Sequence, residues 1–126
     1  MSTKVQGDIG EELACKYLLQ NGYKILERNF RIRGGEIDIV AVDGEALVYI
    51  EVKTRTSYQF GRPEESITLR KIRFLERAAK FYRAKRKNLI KLPDLERIDF
   101  VGVDMSDNKP QIKLIKNAFP QQERGS

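Results

Sequence analysis

A chain of 126 residues, 40% hydrophobic and 33% charged, is long enough for one sizeable core and too short for two ordinary domains. Its formal net charge of +6 favours a polyanionic partner and says nothing about fold. With no histidine and a single cysteine, Cys15, it excludes zinc-finger spacing, His-metal nuclease sites, Ser-His-Asp triads and an internal disulfide.

The first predicted element is a helix over about Asp8–Gln20. Asp8 reads as its N-cap, with Glu11 three residues on as capping-box partner. Ile9, Leu13 and Tyr17 share a face that Ala14 and Leu18 widen, and Gly22 after Asn21 marks the stop. Tyr23–Arg31 favours a strand, which Arg33-Gly34-Gly35 breaks. Glu36–Val42 is a second strand, with Ile37, Ile39 and Ala41 on one face and Glu36, Asp38, Val40 and Val42 on the other. Asp43-Gly44 signals a hairpin into a third strand, Leu47–Arg55, whose faces are Val48, Ile50, Val52 and Leu47, Tyr49, Glu51, Lys53. Thr56–Glu65, containing Gly61 and Pro63, reads as a loop. A long helix follows over about Thr68–Lys85, with Leu69, Ile72, Leu75, Ala79 and Tyr82 as its buried stripe. Two last strands fall near Arg97–Val103 and Gln111–Lys116. The order predicts an α/β fold, a mixed central sheet flanked by helices, in one domain of residues 1–119 with a disordered tail at 120–126. No signal peptide or transmembrane run is visible, so a cytoplasmic protein without a membrane partner is expected.

The hairpin carries the most informative pattern. One face is apolar at the turn end (Val40, Val42, Leu47, Tyr49) and charged at the open end (Glu36, Asp38, Glu51, Lys53). If Val42 faces Leu47, Asp38 faces Glu51 and Glu36 faces Lys53; a tight Asp-Gly turn would instead set Glu36 opposite Glu51. Opposed side chains lie roughly 4.5–5.5 Å apart at Cβ, so like charges there repel and call for compensation. A divalent cation would supply it. Mg²⁺ is commonly held by one or two carboxylates plus water and phosphate, and Asp38 and Glu51 with the Val52 carbonyl could converge on one ion. Such an ion polarises a phosphodiester and lowers the pKa of a bound water. Lys53 would sit beside that water to orient it, deprotonate it or neutralise the phosphate. The alternative is an ordinary salt bridge of Glu36 or Glu51 with Lys53.

The second helix and its exit concentrate positive charge: Arg70, Lys71, Arg73, Arg77, Lys80, Arg83, Lys85, Arg86, Lys87 and Lys91, with Glu76 as the only acid. Phosphate binding needs such a face, although a solvated helix surface is the bland explanation. Arg31, Arg33 and Arg55 flank the acidic hairpin and are further candidates for phosphate contact, as are Arg70, Lys71, Arg73 and Arg77. No base-reading motif stands out, so recognition of backbone or shape is expected.

Gly-Glu-Ile-Asp-Ile-Val-Ala (35–41) followed by Val-Tyr-Ile-Glu-Val-Lys-Thr-Arg (48–55) resembles the PD-(D/E)xK signature of the restriction-endonuclease-like superfamily. The chain more closely resembles the bacterial YraN family (UPF0102) of predicted endonucleases. The likeness runs from Gly7 to about Phe119 and includes Gly10-Glu11, Asn29-Phe30-Arg31, Lys71, Arg97-Ile98-Asp99 and Asn117-Ala118-Phe119. It implies an αβββαβ core, Mg²⁺ or Mn²⁺ dependence and similarity to archaeal Holliday-junction resolvases. On it, Asp38 and Glu51 would be metal ligands, Lys53 the catalytic lysine and Glu11 the helix acid that completes the site. Ile37 stands where the signature has proline. Glu11 therefore has two readings, helix cap or ligand, and Glu36 reads as a salt-bridge partner of Lys53 or as the group that holds it.

The leading expectation is a metal-dependent nuclease acting on structured or branched DNA. A non-catalytic nucleic-acid-binding protein that keeps the nuclease fold is the alternative, and a protein whose basic helix meets an acidic partner is a third. Resolvases of this fold work as symmetric dimers, which implies a homodimer, although no dimer seam stands out in the sequence.

Overall fold

A computed structural model describes residues 3–56 and 67–118; most of the predicted loop and the tail lie outside them. Helix α1 (Thr3–Gln20) starts well before Asp8. Lys4, Val5 and Gln6 contain no breaker, and a single helical Gly7 costs only about 1 kcal/mol, too little to stop a packed helix. The N-cap reading of Asp8 and the capping-box reading of Glu11 are therefore corrected: both residues lie inside α1. Its C-terminus is as expected, with Gly22 N–H donating to Leu19 O at 3.2 Å and Tyr23 N–H to Leu18 O at 3.0 Å.

The strands are β1 (Lys24–Ile32), β2 (Gly35–Asp43), β3 (Ala46–Arg55), β4 (Leu95–Asp104) and β5 (Gln111–Ile115), with α2 (Leu69–Arg86) between β3 and β4. They form a five-stranded sheet in the order β1-β2-β3-β4-β5. The β3–β4 pair is parallel and the others antiparallel, since only that connection is long enough to carry a crossover helix. This is the mixed sheet with flanking helices predicted for a restriction-endonuclease-like αβββαβ core, extended by β5.

Each face of the sheet holds a core. On one, Ala14, Cys15 and Leu18 of α1 pack with Ile39, Ala41, Val48, Ile50, Val101 and Val103. On the other, Phe74, Leu75, Ala78, Ala79 and Tyr82 of α2 pack with Phe30, Ile37, Val40, Leu47 and Tyr49. Strand β3 is covered on both sides, so Leu47 through Glu51 are all buried, as expected of an inner strand with a parallel neighbour. Two predicted stripe residues are exposed, Ile9 at 37% and Leu69 at 59%. Ile9 points off the helix face that Gly10, Ala14 and Leu18 turn to the sheet, and Leu69 is the first residue of α2, short of the body of the core. No described helix is long and apolar enough to cross a membrane.

Gly10 sets how close α1 comes to the sheet. It is buried, and a Cβ there would lie 1.9 Å from Thr54 Oγ1 and 3.0 Å from Thr54 Cβ. Thr54 is β-branched and stiff, so the helix itself would have to move. Gly7 has nothing within 4 Å of such a Cβ. Gly10→Ala is expected to cost about 1–3 kcal/mol through overpacking, whereas Gly7→Ala should stabilise by about 0.5–1 kcal/mol. Urea denaturation of the two variants measures both, and equal effects would contradict the close approach.

Candidate metal centre

The β2–β3 hairpin adopts the wider of the two registers. Asp43 pairs with Ala46, Val42 with Leu47 and Ile39 with Ile50, leaving Gly44 and Glu45 at the tip. One step further brings Asp38 level with Glu51, where regular pairing ends. In place of a backbone rung, Asp38 Oδ2 accepts the Val52 N–H at 2.7 Å.

Here the expected alternation along β2 fails. Ile37, Ile39 and Ala41 do not share one face: Ile37 packs in the α2-side core with Val40, and Ile39 and Ala41 pack in the α1-side core. The strand changes face across Asp38. The physical reason lies next door in β1, where Asn29 sits between the rungs Arg28–Ile39 and Phe30–Ile37 with φ of 54°. Asparagine is among the few residues that tolerate this left-handed conformation. The break places Asp38 against a cavity of about 840 Å³ whose lining includes Glu11, Glu36, Lys53 and Arg55.

Carboxylate oxygens of Glu11, Glu36 and Asp38 all lie within 4.8 Å of one another. Like charges at that spacing repel by roughly 3 kcal/mol per pair at an effective dielectric constant of 20, less where water reaches them. Two of the acids have partners. Arg28 donates to Glu11 from Nε and Nη2, both at 3.3 Å, and to Glu12 from Nη1 at 3.0 Å. Asn29 Nδ2 donates to Glu11 at 3.3 Å and to Glu36 at 3.1 Å, and Arg31 Nε donates to Glu36 at 3.2 Å. Asp38 has the Val52 N–H. Burial, the hydrogen bond and charge of Glu51, and the charge of Glu11 push its pKa up to about 9. Asp38 thus takes either a proton or a cation. An all-oxygen donor set of this kind could hold a hard divalent cation.

The predicted site residues divide between two places. Asp38, Glu11, Lys53, Arg31, Arg55 and Val52 line the acidic cavity. Glu51 lies beneath it, 8% exposed, with Oε2 at 3.0 Å from Lys71 Nζ. Its cationic partner is therefore Lys71 of α2 and not Lys53. The expected Glu36–Lys53 pair is also replaced: Glu36 stands opposite Arg31 across β1–β2 and pairs with it, because the face change at Asp38 turns Glu36 toward α1 and β1. Among the described residues, Lys53 makes no ion pair. Glu36 joins Glu11 and Asp38 in the place expected for Glu51. Arg28 and Asn29 were not expected at the site at all; a left-handed asparagine has no signature in a strand-like segment.

The basic helix is less uniformly free than its sequence suggests. Arg83 donates to Glu96 at 2.8 Å, and Arg86 to Glu27 at 3.0 Å. The N-terminal half keeps Arg70, Arg73 and Arg77 exposed, and with Lys71, Phe74, Thr68, Leu69 and Gly34 they line a second cavity of about 630 Å³. Arg33 is exposed on the nearby β1–β2 turn. Away from both cavities, buried Asp99 accepts from Tyr23 Oη at 2.7 Å, from Arg97 Nε at 2.8 Å and from the Asn117 N–H at 2.8 Å. Arg97 also reaches Asp43 at 2.7 Å, so this network fastens the hairpin and the end of β5.

The model of the family described as "Uncharacterised protein family UPF0102" matches residues 10–103. The chain belongs to the UPF0102 family. A UPF0102 protein of Geobacter metallireducens is 47% identical over 119 residues, covering 94% of this chain and 95% of its own. UPF0102 proteins of Dehalococcoides mccartyi (47% over 116 residues; 92% and 93%) and Caldicellulosiruptor saccharolyticus (45% over 123 residues; 94% and 100%) are similarly close. The solved structure of Pyrococcus furiosus SfsA in complex with Ca²⁺ gives a TM-score of 0.38 and 16% identity over 91% of this chain and 64% of that one, below the level at which a shared fold follows. The UPF0102 match spans Glu11, Glu36, Asp38, Glu51, Lys53 and Lys71 together.

The acidic cavity predicts a pH signature. Burial and the neighbouring acids raise the Asp38 pKa from the ordinary carboxylate value of 3.8 to about 9 in the folded protein. Stability from this group is full below that lower value and is lost as pH rises toward about 9. With no histidine in the chain, little else titrates between pH 5 and 8. In chelator, Tm should fall across that range; Asp38→Asn should flatten the slope, and Mn²⁺ should oppose the fall by favouring the ionised acid. An unchanged slope in Asp38→Asn would refute the assignment.

Proposed function

We propose that this UPF0102 protein is a metal-dependent nuclease that hydrolyses phosphodiester bonds in structured or branched DNA, in the manner of Holliday-junction resolvases. The observation that carries this reading is the gathering of Glu11, Glu36 and Asp38 oxygens within 4.8 Å of one another in an open cavity shared with Lys53 and Arg55. A pure nucleic-acid binder gains nothing from clustered carboxylates beside phosphate, since without a cation they repel it.

Asp38 with Glu11 and Glu36 would hold Mg²⁺ or Mn²⁺, and Glu51, level with Asp38 on β3, would join them. The ion, when bound, supplies positive charge to a phosphoryl oxygen and acidifies a water. Lys53 is the one amine at the end of β3 that faces this cavity, and its role is to orient or deprotonate the attacking water or to neutralise charge on the phosphate. Arg31 and Arg55 in the cavity lining, Arg33 on the β1–β2 turn, and Arg70, Lys71, Arg73 and Arg77 on α2 would offer contacts for backbone phosphates. Cutting paired strands symmetrically calls for a homodimer. One observation favours the binding-only alternative: Glu51 is already neutralised by Lys71, as a site without an ion would require.

A cleavage assay on branched and linear DNA with Mg²⁺ or Mn²⁺ separates the two. Asp38→Asn and Lys53→Ala should each lower the cleavage rate by about 100-fold or more while leaving binding within a few-fold. Branched-DNA binding with no metal-dependent cutting by the wild type would favour the alternative, and variants that cut like the wild type would expose a contaminating nuclease.

A further inference from the structure

The two cavities share a connection through one side chain. Lys71 lines the basic cleft at the start of α2 with Gly34, Arg70, Arg73 and Arg77. Its Nζ also touches Glu51 Oε2 at 3.0 Å, and Glu51 lies one residue beyond the Ile39–Ile50 pair, level with Asp38, which lines the acidic cavity. Lys71 and Glu51 thus stand between the basic cleft and the cluster of acids.

Charge balance decides how this pair is poised. Glu51 is 8% exposed, and a carboxylate buried to that extent calls for a cationic partner. Lys71 is that partner while no cation lies beside Asp38. The same lysine lines the cleft with Arg70, Arg73 and Arg77, a group of cations with no acid among the described lining residues. The cleft is built rather than incidental. The Phe74 ring forms its floor, with Lys71 Nζ 5.2 Å and the Arg77 guanidinium 5.4 Å from the ring centroid. Gly35 brings the β1–β2 turn onto the same ring, where a Cβ would lie 3.0 Å from Phe74 Cζ. Lys71 therefore stands where it can serve either of two anions, the buried carboxylate or a group entering the cleft.

We propose that the cleft formed by Gly34, Arg70, Lys71, Arg73 and Arg77 binds a phosphate group, and that Lys71 moves onto this phosphate and so releases Glu51 to a cation at Asp38. The inference rests on the cation-binding reading given above. Backbone phosphate and free phosphate share the chemistry, tetrahedral oxygens carrying negative charge, and the cleft is open to both. By linkage, anion in the cleft tightens cation binding and cation tightens anion binding by the same factor. Metal affinity and strand placement are thereby coupled, and the acidic cavity is loaded when a strand lies in the cleft.

Mn²⁺ binding by the whole protein, followed by the electron paramagnetic resonance signal of free Mn²⁺, tests this without any turnover. The anion probes are sulfate, which does not sequester Mn²⁺ as phosphate does, and a short single-stranded oligonucleotide. Wild type should bind Mn²⁺ about 5-fold or more tightly when the cleft is filled. Lys71→Gln should bind Mn²⁺ more tightly than wild type with no anion present and gain nothing from either probe. Arg73→Gln removes the same charge from the same cleft but no contact of Glu51, so it should tighten anion-free Mn²⁺ binding by less than Lys71→Gln does. Lys71→Arg should keep the anion response, and circular dichroism melts check that each variant is folded. Enhancement by sulfate identifies a bare anion as sufficient, and enhancement by the oligonucleotide alone identifies backbone phosphate. Enhancement by neither, or an undiminished response in Lys71→Gln, overturns the proposal. If Asp38→Asn binds Mn²⁺ like the wild type, the cation site itself is misplaced and both readings fall.

Discussion

Like charges brought close together inside a folded chain are the constraint from which the rest of this molecule follows. Glu11, Glu36, Asp38 and Glu51 come from a helix and two strands, and each alone would be ordinary. Together they are tolerable only with compensation, and the surroundings are arranged to give most of it. Arg28 and Asn29 hold Glu11, Asn29 and Arg31 hold Glu36, and Lys71 holds Glu51. Asp38 is the exception, half-buried at the cavity wall and served by the Val52 N–H alone among these donors. The charge deficit of the whole cluster is therefore concentrated on one carboxyl group. That group stands where β2 changes face, so strand geometry and electrostatics meet at one residue.

The scaffold explains why the cluster can exist. Helix α1 lies close to β3 because Gly10 leaves room for Thr54, and the next residue along the helix is Glu11. The left-handed Asn29 turns β1 just where its side chain must reach both Glu11 and Glu36. Far from the site, Asp99 gathers Tyr23, Arg97 and Asn117, which ties α1's exit, β4 and the end of β5 together. Residues that look like a functional signature in sequence thus serve two purposes. Gly10, Glu11 and Asn29 shape the acidic cavity, whereas Arg97, Asp99 and Asn117 fasten the fold.

Much of the fold was legible because period-two and period-3.6 patterns report burial directly. The strands are legible within a residue or two, and Asp43-Gly44 marks the hairpin that leads into β3. The hairpin register was left with two options, and the pairing of Val42 with Leu47 chose between them. What could not be read were the features that pattern does not encode. Alternation places Ile37 with Ile39, and only a backbone conformation at Asn29, on another strand, separates them. Asp8 and Glu11 have the spacing of a capping box, a local signal that the longer helix overrides. Sequence distance also hides that Lys71 pairs with Glu51. Ion pairs between elements are set by packing, and neither Glu36–Arg31 nor Glu51–Lys71 is visible in a single strand or helix. Arg83 and Arg86 were likewise read as uncompensated, and their acids come from β4 and β1.

The double burial of β3 has a consequence for motion. A strand flanked by paired neighbours and covered by a helix on each side exposes its amides only when the molecule opens as a whole. Glu51 and the Val52 N–H that steadies Asp38 follow directly on that doubly flanked stretch, at the end of β3 where pairing with β2 stops. Glu36 and Arg31 belong instead to the hairpin at the sheet's β1 edge, and Glu11 to a helix that rests on the sheet without being woven into it. One wall of the cavity thus continues the most firmly held part of the sheet, and the facing wall is free to adjust by small local openings. A partner entering the cavity would meet a fixed anvil and a yielding jaw.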